Sequence, residues 1–393
     1  MSRVTLEKFL QRVDPGSPPP DDAYVEPPSK VGERLAIAVQ PNPKSRVLFV
    51  GQPGVGKSTE FARLELKLSD RYVVLRPPID TIDLRAVGWT ELIAFSALWA
   101  AEHVGVHAWK LLAALRKVAW RPDWADPNDD LGPEEQGYEQ VAGPPRATIA
   151  QHFRNELPQI SEAIAQGPAQ IRDLAAAVFK EIEATKGKPV VILWDGLERL
   201  SSKRATELFE RQVLQMKDLP CRVVATAPVW LSFQTFFGEV MENFGEVVRL
   251  RALDPESAAT HAFMSEVISR RDSDDLFEFG SIKDEILTAS GGIVRQLLQL
   301  IAFVVAQVLA DGGTELTFDA FERGKRRAAE RWQYQLGPDD FHELTKDDKK
   351  RKPEARARLL SLGALVEYED SNGGLKLETN PLVADLMKRR NRA

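Results

Sequence analysis

The chain is poor in the residues that build disulfide and zinc scaffolds, with one cysteine, Cys221, and five scattered histidines in 393 residues. A single thiol cannot form a disulfide framework, and without a Cys/His cluster a zinc site has no ligand set. Cys221 lies beside an apolar run and reads as a small buried thiol. No stretch reaches the roughly 18 uninterrupted apolar residues of a membrane span, and MSRVTLEKFLQRVDP lacks the apolar core of a secretory leader. The expectation is a cytoplasmic protein with no membrane partner. Positive charge is not in excess either: Lys+Arg number 52 against Asp+Glu 58, a formal charge of -6. No general basic field therefore points to nucleic acid.

What is present is an ordinary globular composition, 43% hydrophobic and 28% charged, in a chain long enough for two or three domains. Residues 14–30, DPGSPPPDDAYVEPPSK, mix prolines with acids, so residues 1–30 read as a flexible, poorly packed lead-in. From residue 31 onward short apolar runs alternate with helical stretches: RVLFV at 46–50, YVVL at 72–75, VVILW at 190–194, RVVATA at 222–227 and EVVRL at 246–250. Five such strands separated by helices predict an α/β fold, a three-layer core with a parallel sheet, whose ligands bind at the strands' carboxyl ends. This core spans 31–253 and carries a helical insertion at about 88–186. Within the insertion the apolar stretch 89–120 is broken by Glu91, Glu102, His103 and Lys110, which favours core helices over a membrane surface. RPDWADPNDDLGPEEQGYEQVAGPP reads as a loop. The character then turns all-helical over 254–335, a helical lid. Residues 336–393 read as a helix near 354–362, two strands, LVEYE and LKLE, joined by DSNGG, and a helix from Pro381, the pattern of a winged-helix-like module. There is no internal repeat.

One motif carries chemistry on its own. GQPGVGKS, Gly51 to Ser58, satisfies G-x-x-x-x-G-K-[ST] and sits between a strand and a helix, as a phosphate loop must. Its residues Gly51, Gln52, Pro53, Gly54, Val55, Gly56, Lys57, Ser58 and Thr59 are the predicted nucleotide-binding set. Glycines let successive amides point inward at phosphate oxygens, aided by the positive end of the next helix. Lys57 would reach the terminal phosphates, and Ser58 would offer a hydroxyl to Mg²⁺. VVILWDGLE supplies the second half: a buried strand whose tip, Asp195, is the candidate metal-side carboxylate. The position after that aspartate, where many hydrolytic relatives carry glutamate, is Gly196, and the nearest acid is Glu198. Glu198 reads either as the base that activates water or as a surface acid capping the next helix.

Taken in order, these motifs resemble the AAA+ and STAND group of P-loop ATPases, particularly the branch similar to origin-recognition and archaeal initiation ATPases. GVGKSTEFARL resembles that branch's phosphate loop and first helix, DGLERL a variant of its second motif, RVVATAP its fourth-strand sensor, and SGGIVRQLLQL its lid segment. The resemblance spans roughly residues 31–390. It implies ATP and Mg²⁺ as cofactors, a γ-phosphate-sensing Thr226 and a lid sensor Arg295, with Lys57, Asp195, Glu198, Thr226 and Arg295 as the catalytic set. Two departures stand out. The insertion is unusually large, and no arginine finger is identifiable; Arg204 and Arg211 are equally explained by salt bridges.

The leading expectation is therefore a STAND-like regulatory ATPase, with a protein partner or self-association, whose lid and C-terminal module respond to nucleotide. The alternative is a DNA-associated ATPase using the winged-helix-like module, for which KDDKKRKPEARAR is the basic patch and interspersed acids the counter-argument. A P-loop small-molecule kinase is a third, less favoured class.

Overall fold

The computed structural model describes residues 3–16, 19–100, 106–116, 146–217, 219–272, 281–369 and 374–390. The expected loop between the insertion's two helical stretches, and most of the DSNGG turn, lie outside the described residues. In chain order the elements begin with α1 (Arg3–Arg12), α2 (Val31–Val39), β1 (Arg46–Gly51), α3 (Lys57–Leu68) and β2 (Val73–Leu75). The insertion follows as α4 (Trp89–Trp99), α5 (Val106–Arg116), α6 (Arg146–Gln166) and α7 (Pro168–Lys186). The core resumes with β3 (Val190–Trp194), α8 (Ser202–Thr206), β4 (Arg222–Ala227), α9 (Phe237–Phe244) and β5 (Gly245–Leu250). Helices α10 (Ala258–Ser269), α11 (Ser281–Ala289), α12 (Val294–Ala310) and α13 (Phe318–Gln335) come next. The C-terminal module comprises α14 (Pro338–Leu344), α15 (Pro353–Leu362), the antiparallel pair β6 (Leu365–Glu369) and β7 (Leu375–Thr379), and α16 (Pro381–Arg390).

The five core strands form one parallel sheet in the order β2-β3-β4-β1-β5. Both faces are covered, which is why the strands read as unbroken apolar runs. Side chains alternate across the sheet: Val47, Phe49, Val191 and Leu193 share one cluster with α2 and α3, while Leu48, Val50, Ile192 and Trp194 share the other with the insertion and α9. The insertion is core, not surface. Trp89 and Trp194 lie with ring centroids 5.4 Å apart, and their indole N–H groups donate to Leu208 O at 2.7 Å and Ser96 Oγ at 2.8 Å. Each buried indole thereby keeps a partner, as burial of a polar group requires. No helix among the described residues is long and apolar enough to cross a membrane.

The N-terminal segment departs from its expected form. Residues 3–12 are a helix whose Leu6, Phe9 and Val13 are buried and which packs on α12. Their spacing at i, i+3 and i+7 is the amphipathic signal that the neighbouring prolines masked. The proline-rich stretch after it is also tied down. Arg63 of α3 bonds Asp21 at 2.8 Å and lies 4.1 Å over the Tyr24 ring, while Arg271, just after α10, donates to Ala23 O at 3.0 Å. We call the described residues among 13–30 the strap, since they bridge α3 and the lid.

Candidate functional site

The phosphate loop turns directly from β1 into α3. Gly54 and Gly56 adopt φ of +90° and +112°, a left-handed conformation that costs a glycine nothing. At Gly51 the constraint is space: a Cβ there would stand 2.6 Å from Leu250 O. Lys57, nearly fully buried, donates from Nζ to Gly51 O at 2.8 Å and Gln52 O at 2.9 Å. Its charge lies 3.9 Å from Glu198 Oε1. Burial works to raise the Glu198 carboxyl, but the Lys57 charge, the Thr226 hydroxyl, a backbone N–H and the Arg199 charge together outweigh it and hold that group below the usual glutamate range.

At the tip of β3, Asp195 Oδ1 accepts from the Ser58 hydroxyl at 3.2 Å. The second carboxylate oxygen accepts from Arg76 NH2 at 2.8 Å. Asp195 and Glu198 are separated by a turn that Gly196 opens with φ +110°. Thr226, fully buried at the end of β4, braces that turn: its Oγ1 accepts from the N–H groups of Gly196 at 3.0 Å and Leu197 at 2.9 Å, and donates to Trp194 O at 3.3 Å. The same hydroxyl also lies against the Glu198 carboxylate and helps to lower it.

The cavity over the loop is walled by four stretches of chain: the strap, the loop and the first turn of α3, the Glu198–Arg199 turn, and the lid. Its lining combines charged groups, Lys57, Glu198, Arg199, Arg271 and Arg295, with apolar ones, Val25 and Pro27 of the strap and Phe263, Val267 and Leu298 of the lid, and the Tyr24 ring. Such a slot suits a flat heterocycle joined to an anion. Glu60 also lines the cavity; burial pushes its carboxyl up to about 7, although the Tyr24 hydroxyl, 3.3 Å from Oε1, works against the rise.

Gly54, Val55, Gly56, Lys57, Ser58 and Thr59 line the cavity together with Glu198 and Arg295. Arg295 meets the loop through its backbone N–H, which donates to Gly54 O at 3.1 Å. Gly51, Gln52, Pro53, Asp195 and Thr226, by contrast, do not line it; Asp195 lines a neighbouring cavity with Ser58 and Arg76. The Gln52 side chain, 1% exposed, turns to the C-terminal module, donating to Leu365 O at 2.6 Å and accepting from Glu367 N–H at 2.8 Å. Tyr24, Glu60, Arg76, Arg199 and Arg271 belong to the site but escape sequence reasoning. Only Arg199 carries a signal, its adjacency to Glu198. Arg204 donates to Val87 O and pairs with Glu207 at 2.6 Å, a local structural use. In the KDDKKRKPEARAR patch, Arg351 and Arg356 pair with Asp348 and Arg358 with Asp340.

No protein-family model matches the chain, and no curated protein matches it by sequence. Among solved structures it is similar to the Aeropyrum pernix ORC2 protein in ADPNP–ADP complexes, with TM-score 0.47 and 12% identity over 98% of each chain. It is also similar to Cdc6p from Pyrobaculum aerophilum, with TM-score 0.45 and 11% identity over 97% of this chain and 98% of the other. A third likeness is to the Thermotoga maritima RuvB Holliday junction branch migration motor, with TM-score 0.38 and 12% identity over 94% and 99%.

Proposed function

We propose that the chain is an ATP-binding and ATP-hydrolysing switch, in which nucleotide held between the α/β core and the lid sets the arrangement of the C-terminal module and so its partner binding. One observation carries this reading: the phosphate loop is held at once by the lid, through Arg295 N–H to Gly54 O, and by the module, through the Gln52 side chain to β6. A ligand can shift an equilibrium only through contacts that differ between the two states. Here the contacts that fix lid and module sit on the loop that would take the phosphates.

The residues fit such a ligand. Left-handed glycines at 54 and 56 free the loop amides, and no atom stands within 4 Å of where a Gly56 Cβ would lie. Lys57 and those amides would hold the phosphates, with Arg295 and Arg199 at the terminal one. The Ser58 hydroxyl and the Asp195 carboxylate are hard oxygen donors suited to Mg²⁺. Bound there, the ion would neutralise phosphate charge and fix the terminal group's orientation. Glu198, held ionised by Lys57 together with Thr226, a backbone N–H and Arg199, is able to accept a proton from water beside that group. Thr226 acts through the turn it braces, as a positioning residue, and the apolar lining takes the base.

The test is the mass and shape of the full chain with and without ATP, alongside Lys57→Ala. The expected result is a change in oligomeric state or hydrodynamic radius on adding ATP to the unmutated chain, and none in the variant. An identical response in both would overturn the proposal. The DNA-associated alternative is weakened at the patch, where the three arginines are each paired with an aspartate.

A further inference from the structure

Asp195 is covered by a cation that belongs to the protein. Arg76 is the first residue after β2, the strand beside β3, so both side chains leave the sheet at neighbouring carboxyl ends. Pro77 and Pro78 follow it, and a residue before proline is confined to extended backbone, so the base of this side chain is stiff. Arg76 NH2 lies 2.8 Å from Asp195 Oδ2 and 3.4 Å from Ser58 O, and NH1 lies 4.0 Å from Glu65. The pair is sheltered: the Asp195 side chain is 14% exposed and that of Arg76 23%.

In a phosphate-loop site, a bare carboxylate beside the phosphates repels them, and a divalent cation ordinarily screens that repulsion. Here the guanidinium already lies against the carboxylate. We propose that Arg76 is the built-in counter-cation of Asp195, so that this site holds nucleotide phosphates with nearly the same affinity whether or not a divalent cation is present. The inference rests on the nucleotide site proposed above and adds a regulatory property to it: the metal is needed for turnover and not for retention of nucleotide. Glu65 gives the guanidinium a second carboxylate when a cation engages Asp195, so the two functions are compatible.

The experiment is a titration of the full chain with a fluorescent ADP analogue, in excess chelator and in Mg²⁺. In the unmutated chain the two dissociation constants should agree within about threefold, and a tenfold or larger gap between them overturns the proposal without recourse to any variant. R76Q should lose on the order of 10-fold in chelator and recover in Mg²⁺. R76K, which keeps the charge, should behave as the unmutated chain. The double variant R76Q/D195N separates the two ways Arg76 could act. If Arg76 works by covering Asp195, removing that charge restores binding in chelator; if the double variant stays as weak as R76Q, Arg76 acts on the phosphates directly and the proposal falls. Absence of binding to the unmutated chain in either medium would overturn the site assignment itself, an outcome distinct from normal Mg²⁺-dependent binding that defeats only the role of Arg76.

Discussion

Replacing Gln52 with alanine tests whether the phosphate loop holds the C-terminal module. Both functional atoms of this buried amide bond the backbone of β6, at 2.6 and 2.8 Å, where Leu365 is fully buried and Glu367 2% exposed. Truncation leaves one carbonyl and one N–H without that partner, and each buried group so abandoned costs about 1–3 kcal/mol. Partial access of water to the new space brings the expected total to roughly 3 kcal/mol. The module should not come away, because Ala252 N–H still donates to Glu367 O, Arg251 still pairs with the Glu367 carboxylate, and Asn380 and Gln296 still exchange two bonds. The effect should therefore be local. Hydrogen exchange read by mass spectrometry should show the amides of 365–369 losing on the order of 100-fold in protection while those of β1, β3 and β4 change little. Affinity for ADP should stay within about threefold, since the side chain does not line the cavity. Unchanged protection over β6, or a loss spread evenly through the sheet, would refute the idea that this side chain is the tie. Gln52→Glu sharpens the test: it keeps the shape but sets a carboxylate oxygen against Leu365 O, and should loosen β6 at least as much.

Glu60 gives a pH signature. With its carboxyl raised by burial from 4.5 to about 7, the folded state binds more protons than the unfolded one across that interval, so stability falls as pH rises through it and stays lower above. That shift, already net of the compensation by Tyr24, Lys67 and Arg63 and the repulsion of Glu26, corresponds to roughly 3 kcal/mol at most. Glu60→Gln should thus be more stable than the unmutated chain by on the order of 1–3 kcal/mol near pH 8, with the gap closing below about pH 5 in urea melts; a gap independent of pH would show the carboxyl to be unperturbed. Thr226→Val, nearly isosteric, leaves two turn N–H groups unpaired and should cost about 2 kcal/mol in stability and lower turnover. It should weaken ADP and a non-hydrolysable ATP analogue alike and only slightly, whereas a loss confined to the triphosphate would mean that the hydroxyl meets the terminal phosphate.

What could be read from the sequence was what local chemistry dictates. A phosphate loop needs glycines at fixed spacing, a lysine and a hydroxyl within eight residues, and a doubly covered parallel strand needs an unbroken apolar run, so Gly51 to Ser58 and VVILWD declared themselves. Strand identity follows from such runs, but strand order does not, because β1 sits between β4 and β5 through contacts that no local pattern encodes. The helix at 3–12 is hard to see in composition because prolines dominate residues 15–28, while the helical period of Leu6, Phe9 and Val13 lies before them. Gln52 fits the loop pattern at a position where any residue is allowed. Its actual partners stand 313 and 315 residues away, beyond the reach of spacing arguments. Arg76 was hidden in the same way, 119 residues from the aspartate it covers.

These long-range ties bear on how a small ligand could move a whole module. Glu367 is the meeting point: its N–H is held by Gln52, its carbonyl by Ala252 at the end of β5, and its buried carboxylate by Arg251 at 3.0 Å and Arg249 at 3.5 Å. Two residues away, β6 gives its Leu365 carbonyl to the same glutamine. The lid is bound to the module in turn, since Tyr368 OH donates to Gly291 O at 3.0 Å, just ahead of α12. Loop, lid and module thus form a closed circuit of buried hydrogen bonds. Any displacement of the loop amides must carry β6 with it or break bonds whose buried groups each cost about 1–3 kcal/mol to strand. Coupling energies of 1–3 kcal/mol are what allosteric switches ordinarily use. A single side chain turned away from the cavity is enough, on this argument, to make the state of the phosphate loop felt at the far end of the chain.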